Sequence, residues 1–288
     1  MDKIINYINE GNYFIVTSHV NPDGDNIGST LAMYYYLKSL DKDVYYVLDD
    51  DTPINLKFLL KDIEILHGKA MSFNNYNDLN IALELAKELG ENSCVALKHQ
   101  SPCGAAIGEN AFDAYKKAYE ADSLSIFGGI VALNDVVSVP LAEKLSKIFL
   151  EIIIAPDFEP EAFEILSKKK NIRLMKLDTT LEVNNKLKFT NVNDGMLIQD
   201  MDTHQITKED LRCVTNRKPT EEEIEQLLFA WKVVKHVKSN AIVLVKDNMT
   251  IGVGAGQMNR VGSAKIAIEQ AGEKAKGSVM GSDAFFPM

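Results

Sequence analysis

Short apolar runs recur along this chain, and most are followed by a stretch with helical periodicity. Tyr13–Thr17, Val44–Leu48, Cys94–Leu97, Ile152–Ala155, Ile172–Leu177 and Ala241–Val245 are each too short for a buried helix and are bounded by polar or turn residues. That is the pattern of buried strands. Between them, helices are predicted over 2–10, from Ile27 to Leu40, over 140–149 with Pro140 in the first turn, over 160–169 and over 261–275. A helix over 78–89 places Leu79, Leu83, Ala86 and Leu89 on one face, and Gly90 stops it. Thr220-x-x-Glu223 reads as a capping box opening a helix whose apolar face is Leu227, Leu228, Trp231 and Val234. Pro102 and Gly104 are expected to break the chain before a helix that begins near Ala105. Residues 67–75 and 178–219 read as irregular. Strands alternating with helices predict an α/β fold, and residues 13–48 alone make a Rossmann-like βαβ fragment.

Composition narrows the function classes. The 288 residues suffice for two domains, and 46% hydrophobic with 25% charged residues is a globular balance. No apolar run approaches a membrane span, and Met1-Asp2-Lys3-Ile4 lacks the features of a secretory signal. Three scattered cysteines without Cys-x-x-Cys predict a reduced, cytoplasmic protein rather than a disulfide or structural-zinc scaffold. A net charge of −10 argues against non-specific binding to nucleic acid or anionic membranes.

Two stretches carry chemistry. Lys98-His99 stands at the carboxyl end of an apolar strand, where open α/β sheets bind ligands. The pair offers a fixed cation and a base that titrates near neutrality, though a surface pair at a strand end has the same sequence. His19, Asp23 and Asp25 lie in one short loop after the first strand and could face Mn²⁺ or Mg²⁺. A solvated polar turn shaped by Asn21, Pro22 and Gly24 would look alike. The run Gly252-Val253-Gly254-Ala255-Gly256 fails the dinucleotide spacing because residue 257 is Gln; a general anion nest beside Arg260 remains open. Pro102-Cys103 is followed by Ala106 rather than Cys, which excludes a deaminase-type zinc site. His204 and His236 read as surface or satisfied structural residues.

The segment Ser18-His19-Val20-Asn21-Pro22-Asp23-Gly24-Asp25, with Ile27-Gly28-Ser29 after it, resembles the first motif of the DHH phosphoesterase family. The resemblance implies metal ligation by His19, Asp23 and Asp25 in a fragment spanning residues 1–66. The family's later motifs are absent, since no two histidines are adjacent.

A second set of segments begins with Gly68-Lys69-Ala70-Met71-Ser72-Phe73-Asn74-Asn75, Lys98-His99-Gln100-Ser101-Pro102-Cys103-Gly104 and Phe127-Gly128-Gly129-Ile130-Val131-Ala132-Leu133-Asn134. Lys238-Ser239-Asn240, Gly252–Gln257 and Ser282-Asp283-Ala284-Phe285-Phe286-Pro287 continue it. On these segments residues 67–288 resemble the formyltransferase domain of the bifunctional purine-biosynthesis family, whose other activity is inosinate cyclohydrolase. The resemblance implies cytidine-deaminase-like α/β repeats without zinc, a homodimer, and formyl transfer from 10-formyltetrahydrofolate to 5-aminoimidazole-4-carboxamide ribonucleotide (AICAR). It assigns catalysis to Lys98, His99 and Asn240, nucleotide binding to Asn259, Arg260, Phe127 and Gly128, and folate contact to Phe285, Phe286 and Pro287. Asp283 would lie near a potassium site. Asn259 stands where the family usually has Ser. The family's opening Arg-Tyr-Gly segment and the strands after Pro287 are not matched, so impaired transfer is expected with the hybrid arrangement. The alternatives from other classes are a manganese-dependent phosphoesterase acting on nucleotides or short oligonucleotides, and a non-catalytic nucleotide-binding protein.

Overall fold

The computed structural model describes residues 2–17, 24–47, 63–177, 187–193 and 195–286. By its contacts the chain divides into two units, Met1–Lys61 with Ala70–Tyr76, and Asp62–Lys69 with Asn77–Met288. In the first, α1 (Asp2–Glu10) precedes β1 (Tyr13–Thr17), α2 (Gly24–Ser39) and β2 (Asp43–Val47). β1 and β2 are parallel, Tyr13 opposite Asp43, which is the expected βαβ arrangement. Its small core is Val16, Leu37 and Val44, with Ile8, Phe14 and Tyr34 packed against them.

The second unit is built on a nine-stranded mixed sheet. Its first part runs β3 (Ile63–His67), α3 (Phe73–Leu89) from Asn77 onward, β4 (Ser93–Lys98), β5 (Ser101–Ile107), α4 (Ala111–Ala121), β6 (Ile130–Leu133), α5 (Val139–Leu145), β7 (Ile152–Ala155), α6 (Pro160–Ser167) and β8 (Arg173–Leu177). A separate antiparallel ribbon, β9 (Leu187–Val192) and β10 (Gly195–Asp200), follows. The chain then continues with α7 (Glu221–Lys235), β11 (Ile242–Lys246), β12 (Met249–Gly254), α8 (Arg260–Ala271) and β13 (Val279–Ser282). The strand order is β13-β11-β12-β5-β4-β6-β7-β8-β3.

Two successive segments share one plan. In α3-β4-β5-α4-β6 and in α7-β11-β12-α8-β13, a helix leads into an antiparallel hairpin, and a second helix carries the chain to a third strand beside the first. Each hairpin closes through two residues at positive φ, His99 (51°) with Gln100 (61°) and Asp247 (54°) with Asn248 (54°). Primed turns of this kind match the right-handed twist of the strands they join. Each second helix is capped by an asparagine, Asn110 accepting from Asp113 N–H and Asn259 from Gly262 N–H. Each also sits so close to its hairpin that only glycine fits. A Cβ on Gly104 would lie 2.1 Å from Ala118 O, and one on Gly252 would lie 2.0 Å from Ala267 O.

The seam between the repeats is thin. Only Met249 and Ala106 pair in register between β12 and β5. Beside them Ile107 N–H donates to Asn248 O at 3.0 Å, and the buried Thr250 hydroxyl accepts from Ala105 N–H at 3.0 Å.

Several expectations are corrected. Residues 101–107 form β5 and not the start of a helix, which begins at Ala111. Pro102 is tolerated because the pairing slips beside it: Ala96 faces Gly104 and Leu97 faces Pro102, leaving Cys103 as the extra residue of a bulge. Helix α3 begins at Phe73, inside the stretch read as irregular. Leu83 is only half-buried there, and Ala82 and Leu85 join Leu79, Ala86 and Leu89 in the core. The buried face of α7 is Gln226, Phe229, Ala230, Val233 and Val234, rotated from the one expected. The ribbon β9–β10 and the edge strand β13 were not foreseen. The glycine run at 252–256 is mostly strand: Gly254 faces the α8 backbone, with a Cβ there 1.9 Å from Ser263 O. Helix packing, not an anion nest, explains Gly252 and Gly254.

Gly254→Ala should therefore force α8 away from the sheet. Urea unfolding is expected to show a loss of about 2 kcal/mol, and a variant as stable as the parent would contradict this packing.

Candidate active site at the Lys98 edge of the sheet

The strand registers bring the candidate residues to one edge of the large sheet. β4 ends at Lys98, which faces Ser101 at the start of β5. β6, β7 and β8 start at this edge, because Leu97 faces Ile130, Ile130 faces Ile152 and Ile152 faces Arg173. β12 runs antiparallel to β5 from the opposite edge, so its end at Gly254 returns here. There Ile242, opening β11, faces both Gly254 and Ser282. Sequence positions 98–99, 127–130, 240–242, 254–260 and 282–286 thus lie along one edge, although they are far apart in the chain.

Lys98 Nζ donates to Phe127 O at 2.5 Å. Phe127 is 57% exposed and packs its ring 5.7 Å from that of Phe149. Gly128, at φ 70°, leaves room beside Phe149 and the Lys98 ammonium. His99 is exposed at the turn. With Gln100 it lines a cleft of 690 Å³, together with Glu84, Glu88, His236 and Lys238. Asn240 is half-buried, its Nδ2 donating to Gln257 O at 2.8 Å while its carbonyl accepts from the Ser263 hydroxyl at 2.8 Å.

Arg260 and Asp283 form a buried centre. Arg260 is 9% exposed, and its Nη2 donates to Asp283 Oδ1 at 2.8 Å and its Nη1 to Phe285 O at 2.9 Å. Ala241 N–H donates to the same Oδ1 at 3.0 Å, and the Ser239 hydroxyl bonds Oδ2. Burial acts to raise the Asp283 carboxyl, but the hydrogen bonds from Ser239, Ala241 and Arg260 outweigh it and hold the group below the usual carboxylate range. Arg260, expected to meet the nucleotide, here ties the segment after β13 to the sheet edge. Asp283, expected beside potassium, receives N–H or O–H donors on both oxygens. Asn259, also expected to touch the nucleotide, caps α8. Phe285 is 80% exposed and Phe286 37% exposed beside this centre. Pro287, His19 and Asp23 lie outside the described residues, and Asp25 falls in the first turn of α2.

Sequence reasoning missed the second polar group around the cleft. Lys235 Nζ donates to Glu88 at 2.8 Å, with both side chains largely buried. His236, read as a surface or satisfied residue, holds its side chain, 8% exposed, between two carboxylates, with Nε2 3.4 Å from Glu88 and Nδ1 4.0 Å from Glu84. Among the described residues Glu88 Oε2 and His236 Nε2 are buried without a hydrogen-bond partner. Burial acts to raise the Glu88 carboxyl, and His236 and Lys235 outweigh it and lower it. The signal available in sequence was Glu84 and Glu88 one helical turn apart, facing the same way.

Residues 45–270 match the model of the AICARFT/IMPCHase bienzyme family. The chain belongs to this family. It is 56% identical over 236 residues to the bifunctional purine biosynthesis protein PurH of Oceanobacillus iheyensis, covering 82% of this chain and 46% of that protein. It is 58% identical over 238 residues to PurH of Anoxybacillus flavithermus, covering 83% and 47%, and 55% identical over 237 residues to that of Bacillus subtilis, covering 82% and 46%. The chain spans about half the length of the curated relatives it matches. The family match takes in Lys98, His99, Asn240, Asn259 and Arg260 and begins within β2, ahead of residue 67 where the resemblance was placed.

The Arg260–Asp283 pair sets an acid limit on stability. Asp283 is lowered in the folded state, so its contribution is complete above its unfolded value of about 3.9 and is lost as pH falls through the folded value. Asp283→Asn should cost about 3 kcal/mol at neutral pH and flatten the decline of Tm below about pH 4. Parallel acid profiles for variant and parent would contradict this role.

Proposed function

We propose that this chain carries the formyltransferase half of its family's chemistry, moving a formyl group from 10-formyltetrahydrofolate to the 5-amino group of AICAR. The observation that carries the reading is that Lys98, His99 and Asn240 stand along one sheet edge, in a chain 55–58% identical to PurH proteins. The two α-β-β-α-β segments support a cytidine-deaminase-like ancestry for the fold, with Cys103 in a strand bulge.

The amine of this substrate is a weak nucleophile, because its lone pair is shared with the ring and the carboxamide. His99, exposed on the cleft, takes its proton as nitrogen bonds the formyl carbon. Negative charge then grows on the formyl oxygen. Lys98 faces it with an ammonium that has three donors, one of them given to Phe127 O. Collapse breaks the bond from carbon to N10 of the folate, which receives a proton. Asn240, its side chain fixed by Gln257, orients the reacting groups. Phe285 and Phe286 offer apolar surface to the folate ring.

The test is formyl transfer by the purified chain, followed as tetrahydrofolate formation, beside His99→Ala. Transfer by the parent, reduced about a hundred-fold or more in the variant, is expected. A folded chain with no transfer, or a variant as fast as the parent, would overturn the reading.

A further inference from the structure

The turn that presents His99 is held from outside its own hairpin. His99 and Gln100 both stand at positive φ and neither is glycine, a conformation that costs free energy for residues with a Cβ. Lys98 and Ser101 pair across the turn. From α3, Asp78 Oδ1 accepts from Gln100 N–H at 2.9 Å. This bond spans 22 residues and joins a half-buried carboxylate to the amide just after the imidazole. A carboxylate accepting from a backbone amide makes the stronger, charge-assisted kind of hydrogen bond.

The second repeat uses the same device. There Gln226 Oε1, from the helix preceding the strand, accepts from Asp247 N–H at 3.1 Å in the corresponding turn. Gln226 is itself buried at 8% exposure. In both repeats a polar side chain of the leading helix locks the left-handed turn. Only in the first does that turn carry an imidazole into the cleft.

We propose that Asp78 is a positioning residue for His99, fixing through Gln100 N–H the turn from which the imidazole meets the substrate. The proposal rests on the reading of His99 as the base. Without Asp78 the turn samples other conformers and the imidazole leaves its reacting position. Substrate binding, which draws on other groups, changes little.

The test compares Asp78→Ala and Asp78→Asn in the full chain, the second keeping an oxygen acceptor. By NMR, exchange of the Gln100 amide should quicken about ten-fold in Asp78→Ala and stay near the parent's in Asp78→Asn. In formyl transfer, Asp78→Ala should lower kcat by about ten-fold or more with KM for both substrates nearly unchanged, and Asp78→Asn should recover most of it. A merely structural role would lower Tm without separating kcat from KM. Unchanged Gln100 exchange in Asp78→Ala would overturn the proposal. So would full activity of Asp78→Ala beside an inactive His99→Ala. Full activity of His99→Ala is a different result: it brings down the assignment of the base, while the exchange measurement still decides whether Asp78 sets the turn.

Discussion

Two tight hairpins are the constraint on which the large sheet depends. Each reverses the chain through a pair of residues at positive φ, and each thereby lays two strands side by side with no room for a connecting helix. Everything beyond follows from that reversal. The glycines of the second strands admit α4 and α8 at backbone contact, and those helices return the chain to pair beside β4 and β11. Because the first turn lies at the Lys98 edge and the second at the opposite edge, the two repeats run in opposite senses. The turn of one repeat therefore shares an edge with the entrance of the other.

That arrangement gives the candidate site its mixed parentage. Lys98 and His99 come from the turn of the first repeat, while Asn240 comes from the entry to the second. The Arg260–Asp283 centre belongs wholly to the second repeat and gathers the start of β11, the start of α8 and the end of β13. Around the cleft, Glu88 with Lys235 and His236 ties α3 to the end of α7, three residues before Ser239-Asn240. Helix α3 thus reaches the first repeat's turn through Asp78 and the approach to Asn240 through Glu88.

What was legible in the sequence was local. The capping box at Thr220 and the apolar strands β4, β7 and β11 are encoded within a few residues, and each stands where expected. Pro102 and Gly104 misled, because both were read as breakers while the fold uses one beside a bulge and the other for helix contact. The edge strand β13 is short, contains Gly281 and pairs only with β11, so its pattern is weak. Burial on α7 is decided by what lies beneath it, which places Gln226 inside and leaves Leu227 and Trp231 at the margin. The Lys98-His99 pair was visible as chemistry. Its supports were not, since Asp78 with Gln100 and Glu88 with Lys235 are separated by 22 and 147 residues and have no motif.

The thin seam between β5 and β12 has a thermodynamic consequence. One register pair, one turn contact and a threonine hydroxyl are a small share of the backbone bonding across this sheet. A small molecule gripped on one side by the Lys98-His99 turn and on the other by the Asn240 segment would act as a clasp across that joint. Its binding free energy would appear in part as resistance to separation of the halves, growing with the logarithm of ligand concentration. Occupancy and cohesion of the sheet are then two readings of one equilibrium.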